Sequence, residues 1–142
     1  MKISIACDHG GLQLKNDLAA YIKSLGHTVC DFGTNSLDSC DYPDFAKPAA
    51  KAVASGDCDR GVVVCTTGIG VSMVANKVKG VRCALCLNAD MAKMTRLHNN
   101  ANVIALGQKY LDTDTAKQIV DAFLNTEFEG GRHAVRVSKI ED

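Results

Sequence analysis

The 142-residue chain has no excess charge, because 16 Lys and Arg balance 16 Asp and Glu. No overall field draws it to nucleic acid or a membrane surface, and neither is expected as a partner. No apolar run is long enough to span a bilayer. The apolar part of Met1-Lys2-Ile3-Ser4-Ile5-Ala6-Cys7 is too short for a secretory leader and reads as a strand; a cytoplasmic location is expected. Internal repeats, low-complexity tracts and linkers are missing. No full G-x-G-x-x-G or Walker pattern occurs, so neither a dinucleotide nor ATP is implied. A disulfide framework is absent too. The seven cysteines, at 7, 30, 40, 58, 65, 83 and 86, are odd in number and scattered, unlike a disulfide scaffold. The one C-x-x-C, Cys83 and Cys86, falls in a segment 82–87 that reads as a strand. Their spacing turns the two side chains to opposite faces, which suits neither chelation nor a disulfide.

What remains is an ordinary globular composition, 46% hydrophobic and 23% charged, in a chain of one-domain length. Strand and helix patterns alternate from end to end. Strands are expected at 2–7, 28–32, 61–65, 82–87 and 102–106. Between them Leu14, Leu18, Tyr21, Ile22 and Leu25 mark the apolar face of a helix, closed by Gly26. Further helices are expected from Tyr42-Pro43-Asp44 to about Ala54, through Ala75, over Ala89–His98 with Asn99-Asn100 as the stop, and from Asp112 or Thr113 to about Leu124. Pro48 fits the second helix only in a first turn. Such alternation predicts an α/β fold, a Rossmann-like three-layer α/β/α sandwich on a five-stranded parallel sheet. The strand order is expected to be 2-1-3-4-5, with 3-2-1-4-5 as the other arrangement. In the first order, strands one and three meet at the topological switch point, where ligands bind in open α/β sheets.

Two polar clusters fall at that crevice. Strand one ends in Asp8-His9. Strand three ends in Val62-Val63-Val64-Cys65-Thr66-Thr67-Gly68-Ile69-Gly70-Val71-Ser72, a buried strand, a small-residue loop and a helix start. A loop of this kind aims backbone N–H groups at an anion, and positive potential at its lip favours a cysteine thiolate. Buried cysteines are mostly inert and polar residues after a strand often only make a turn; the strand-end setting is what singles out Cys65, Asp8 and His9. His98 lies ten residues down its helix, about 15 Å from the crevice, and Arg132-His133-Ala134-Val135-Arg136 follows the last helix at the same lower edge. Within one chain they would be a helix cap and a solvated basic tail. Across a two-fold dimer both can reach a partner's crevice, where two arginines four apart beside a histidine suit a phosphate.

These residues, taken in order, carry a resemblance over essentially the whole chain. The motifs are Ala6-Cys7-Asp8-His9-Gly10-Gly11, Asp31-Phe32-Gly33-Thr34, Asp41-Tyr42-Pro43 and Cys65-x-Thr67-Gly68-Ile69-Gly70. They continue with Ala75-Asn76-Lys77, Gly80-Val81-Arg82, Arg96-x-His98-Asn99, Asn102-Val103 and Glu129-Gly130-Gly131-Arg132-His133-x-x-Arg136-Val137. The chain resembles the type-B ribose-5-phosphate isomerases, in the wider family that includes galactose- and allose-6-phosphate isomerases. The resemblance implies aldose–ketose isomerisation of a sugar phosphate, without metal or organic cofactor. It implies a homodimer with shared sites, able to pair further into a tetramer, in which the segment 129–142 of a single domain reaches the partner. Carried over by residue, it makes Cys65 the base for proton transfer between C1 and C2, with Thr67 and His98 assisting ring opening. Asp8 binds sugar hydroxyls, and the backbone of Gly68, Ile69, Gly70 and on to Ser72 stabilises an enediolate. His9, Arg132 and Arg136 hold the phosphate, and Asn99 positions substrate from the partner. One residue departs from the pattern: Thr66 stands where the family usually has glycine, and a β-branched residue resists positive φ. A six-carbon sugar phosphate as substrate, a non-catalytic sugar-phosphate- or nucleotide-binding module, and a thiol redox protein using Cys65 are the alternatives.

Overall fold

Strand and helix periodicities resolve into eleven elements and one short turn in the computed structural model, which describes residues 1–141. In chain order they are β1 (Lys2–Cys7), a 3-10 turn His9–Gly11, α1 (Leu12–Ser24), β2 (Thr28–Asp31), α2 (Pro43–Ala54) and β3 (Arg60–Cys65). Then follow α3 (Ile69–Asn76), β4 (Cys83–Leu85), α4 (Ala89–Asn99), β5 (Val103–Gly107), α5 (Thr113–Asn125) and α6 (Arg132–Ser138). All strand pairs are parallel. The α/β class, five strands and flanking helices are as the alternation implies.

The strand order is 2-1-3-5-4, not the expected 2-1-3-4-5. The physical reason lies in the two last strands. The residues of β5, Val-Ile-Ala-Leu-Gly, are all buried, whereas the three residues of β4 are half-buried. A strand apolar on both faces belongs inside a parallel sheet, and a short half-buried one at its edge. β1 and β3 are neighbours in either order, so the switch point stays where it was expected.

Period-two alternation splits the core between the two faces. Ile3, Ile5, Val62, Val64, Ile104 and Leu106 face α1, α5 and Ala92 of α4. Ala6, Val63, Cys65, Val103 and Ala105 face the small residues of α2 and α3, Ala46, Ala49, Ala50, Val71 and Ala75. Cys83 packs with the second cluster and Cys86 lies in the first, so the C-x-x-C is divided by the sheet as its spacing requires.

Helix ends follow local chemistry. Asp112 Oδ1 accepts the Thr115 N–H at 2.7 Å and Asn88 Oδ1 accepts that of Met91 at 2.8 Å, caps worth about 1 kcal/mol each. Asn100, with φ 47°, ends α4. Pro48 is not in the first turn of α2 but inside it, after Pro43 at the start. It is tolerated because Pro48 and Asp44, whose carbonyl loses its N–H partner, both lie on the solvent face. The basic tail is a short helix, α6, rather than irregular chain.

One buried cation ties the fold to the crevice. Lys15 of α1 is fully buried, and its Nζ lies 2.7 Å from Asp31 Oδ2 at the end of β2. Asp31 Oδ1 also accepts the Gly33 N–H at 2.8 Å. Together they anchor the start of the polar loop that passes Cys40 and Tyr42 beside the crevice.

Candidate active site

Register brings the two strand ends together. Cys7 pairs with Val64, and Cys65 with Gly107, so Asp8 emerges beside Cys65 on the same sheet face. Asp8 is 6% exposed, and its Oδ1 accepts the Gly10 N–H at 2.9 Å. That bond leaves Oδ2 for a ligand hydroxyl. His9 Nδ1 accepts the Cys40 N–H at 3.2 Å. The accepted bond puts the proton of the neutral ring on Nε2, which makes it a donor suited to an anion.

Cys65 is 5% exposed, and its Sγ receives the Gly68 N–H at 3.1 Å. The loop above it depends on glycine. Gly68 has φ 77°, and a Cβ there would lie 2.9 Å from the Leu106 carbonyl carbon. Gly107 is equally tight, since its Cβ would lie 2.5 Å from Thr67 O. The loop therefore rests directly on the end of β5. Thr67 Oγ1 accepts the Ile69 N–H at 3.3 Å. The Ser72 N–H is taken by Gly68 O at 3.2 Å and its hydroxyl donates to Ile69 O at 2.7 Å. Gly70 and Val71, in the first turn of α3, have N–H groups without an intrahelical acceptor. They are backbone donors left free for a ligand oxygen.

Thr66 needs no glycine here. Among the described residues the one non-glycine with positive φ is Asn100. The Thr66 side chain closes over the first turn, with Oγ1 2.0 Å from where a Gly10 Cβ would be. Gly10, not position 66, is the residue that must be glycine for the two loops to approach.

The remaining expected residues lie elsewhere in the chain. His98 and Asn99 end α4, and the Asn99 carbonyl accepts the Arg82 Nε–H at 3.1 Å. Arg82 precedes β4, at the opposite end of the sheet from Cys65. Cys83 and Gly61 both align with Val103, and from Gly61 to Cys65 the strand rises about 13 Å. Arg132 and Arg136 are exposed, one turn apart on α6, next to His98. One chain thus separates the expected residues into two groups: Asp8, His9, Cys65, Thr67 and the 68–72 loop at one end, and His98, Asn99, Arg132 and Arg136 at the other.

The second group contains a cluster that sequence reading missed. The His98 and His133 rings stack with centroids 4.2 Å apart and planes at 12°. Glu129 Oε2 lies 3.9 Å from His98 Nε2 and 3.8 Å from His133 Nε2. Arg96, 4% exposed, holds this corner by donating to Asn100 Oδ1, Ala101 O and Thr126 O. Burial first, then the neighbouring His98, lowers the pKa of His133. The three side chains are close enough to suggest metal ligation. Imidazole binds an ion in its own plane, however, and stacked parallel rings cannot both do so at one ion. The Glu129–His133 spacing of one helical turn was the available signal, obscured by the Gly130-Gly131 break between them. Tyr42 was also passed over as a site residue. Its ring lies against Gly70, where a Cβ would be 2.8 Å from Cζ, so it packs on the start of α3.

Fold and site together define an α/β domain with a cysteine and a carboxylate side by side at the crevice of a parallel sheet. A family model described as Ribose/Galactose Isomerase matches residues 3–140, and the chain belongs to that family. The ribose-5-phosphate isomerase B of Escherichia coli (strain K12) is 43% identical over 139 residues, covering 98% of this chain and 93% of that protein. A solved ribose-5-phosphate isomerase B of Clostridium thermocellum superposes with a TM-score of 0.98 at 54% identity, covering 99% of this chain and 95% of the other. The enzyme of that name from Mycoplasma genitalium, solved with bound ribulose-5-phosphate, gives 0.94 at 45% identity, with 98% and 93% covered. No helix among the described residues is long and apolar enough to cross a membrane.

Proposed function

We propose that the protein interconverts ribose 5-phosphate and ribulose 5-phosphate, with Cys65 moving the proton between C2 and C1. The observation that carries the reading is the Cys65 thiol, held by the Gly68 N–H at 3.1 Å beside Asp8. Full-length similarity to enzymes of that name supports it. Once the sugar ring is open, the thiolate takes the C2 proton of the aldose and electrons move onto the C1 carbonyl oxygen. The Gly70 and Val71 N–H groups face the enediolate so formed, and one preorganised donor is worth about 3 kcal/mol in such a site. Return of the proton to C1, with the hydroxyl proton passing from O2 to O1, gives the ketose. Asp8 Oδ2 orients sugar hydroxyls, while Thr67 works with His98 on ring opening. The phosphate binds His9 Nε2–H and a pair of arginines.

Arg132, Arg136, His98 and Asn99 complete the crevice of a second copy, in a homodimer with two shared sites. The surface around Cys65 supports this reading. Thr67, Ile69, Leu85, Leu87 and Tyr110 line an apolar hollow of about 380 Å³. Ile69, Leu87 and Tyr110 there are 44%, 48% and 56% exposed, and Met73 close by is 62% exposed. So much exposed apolar surface beside a half-built site suits a subunit contact. The test is conversion of ribose 5-phosphate in the presence of EDTA, with Cys65→Ala as the control. Activity in Cys65→Ala would refute the proton-transfer role. A kcat/KM favouring a six-carbon sugar phosphate would refute the substrate.

A further inference from the structure

The chemistry proposed above uses His98 but leaves its neighbour His133 without a task. His133 is one of the few buried polar side chains, 5% exposed, and its Nε2 has no hydrogen-bond partner among the described residues. A buried nitrogen without a partner is costly, and a leucine would fill such a position without that cost. Its ring lies flat against His98, 4.2 Å away and 12° from parallel. His98 is on the last turn of α4 and partly exposed, where a side chain with no contact would turn among rotamers. The neighbouring charges are Glu129 on one side and Arg132 and Arg136 on α6.

We infer that His133 is a positioning residue for ring opening, a flat platform that sets the plane of the His98 imidazole. The inference rests on the assignment of His98 to ring opening. Stacking is favourable for parallel rings, and burial, which lowers the His133 pKa, disfavours a charge on the ring that lies against His98. What the platform contributes is orientation. A misplacement of about 1 Å can cost a hundredfold in rate, and a residue that fixes the ring plane limits that loss. His133 itself takes no proton from the substrate.

The two chemical stages can be read separately. Ribulose 5-phosphate has its O5 esterified, so its C2 carbonyl has no hydroxyl with which to close a five-membered ring. It enters as an open chain. Exchange of its C1 proton with D2O therefore needs Cys65 but not ring opening or closure. Consumption of ribose 5-phosphate, which enters as a closed ring, needs both, and conversion is measured in that direction. The experiment measures conversion and C1 deuterium uptake, the latter by NMR, for His133→Leu, His133→Phe and His98→Ala. Both replacements at 133 are apolar and fill the buried space, and removing the unpaired Nε2 favours folding, so both variants are expected to melt no lower than the parent. Phe keeps the flat face and Leu does not. His133→Leu is expected to lose conversion about ten- to a hundredfold, with deuterium uptake within about threefold of the parent, while His133→Phe retains most of both. Equal losses in Leu and Phe, or uptake falling in step with conversion, would overturn the platform. If His98→Ala still converts ribose 5-phosphate at the parental rate, the assignment of His98 fails, whatever the variants at 133 show. If His98→Ala loses conversion and keeps uptake, the assignment stands and the Leu–Phe comparison decides the role of His133.

Discussion

Replacing Gly68 by alanine tests the loop on which the proposed chemistry depends. Two costs can be worked from the structure. The first is conformational, because Gly68 has φ 77° and an L-residue in that region loses roughly 1–2 kcal/mol. The second is steric. The new Cβ would lie 2.6 Å from Leu85 Cδ1, 2.9 Å from the Leu106 carbonyl carbon and 3.0 Å from the Gly107 nitrogen. Leu85 can turn away, but the backbone of β5 cannot, and overpacking of that kind costs about 1–3 kcal/mol. The sum is about 2–5 kcal/mol, or roughly 8–20 °C in Tm for a chain of this size. Gly26→Ala separates the two terms, since Gly26 has φ 89° and nothing within 4 Å of its Cβ position. It should lose roughly 1–2 kcal/mol and keep full activity. Gly68→Ala should melt lower than Gly26→Ala, and its kcat should fall about a hundredfold because the N–H on Cys65 Sγ is displaced. Thermal melts at fixed protein concentration, with kcat at a temperature where both variants are folded, make the comparison. Equal Tm losses together with an unchanged kcat in Gly68→Ala would refute both the clash and the role of that donor.

Mixing Cys65→Ala with His98→Ala subunits should restore up to about a quarter of the parental activity by random pairing into shared sites; no recovery after demonstrated subunit exchange would refute them. Lys15→Met keeps the buried stem but breaks the pair with Asp31, whose side chain is 38% exposed and can return to water. The loss in urea denaturation should be about 1–2 kcal/mol, below the cost of stranding a fully buried charge. Alkylation at pH 7.5 followed by mass spectrometry should spare Cys7, Cys58 and Cys86, whose thiols burial pushes up to about 11, while inactivation tracks Cys65. His133 has its pKa lowered by folding, so below its ordinary value near 6.5 the unfolded chain binds more protons and stability falls with pH. The urea midpoint should therefore drop between about pH 7 and pH 5, and drop less in His133→Phe.

Local residue patterns predict where the polar residues of the crevice fall. Cys65 ends β3 and Asp8 directly follows β1, and register with period-two alternation sets those two on one face, while His9 belongs to the turn beyond. The same alternation separates Cys83 from Cys86. The order of β4 and β5 was not legible, because a crossover of either length fits the chain. Which strand lies inside is decided by burial on both faces, a property of the assembled sheet. The question at Thr66 came from the resemblance, in which glycine is usual there, while the structure puts the glycine requirement at Gly10 through a contact between loops 56 residues apart in number.

The chain's own order of strands, loops and helices determined an α/β domain with a cysteine at the switch point, since these features arise from neighbours within a few residues. Tertiary structure alone decided the edge position of β4, the helix at 132–138 and the stacked His98–His133 pair beside Glu129. Those relations depend on how elements pack in space, and residue spacing along the chain does not encode them.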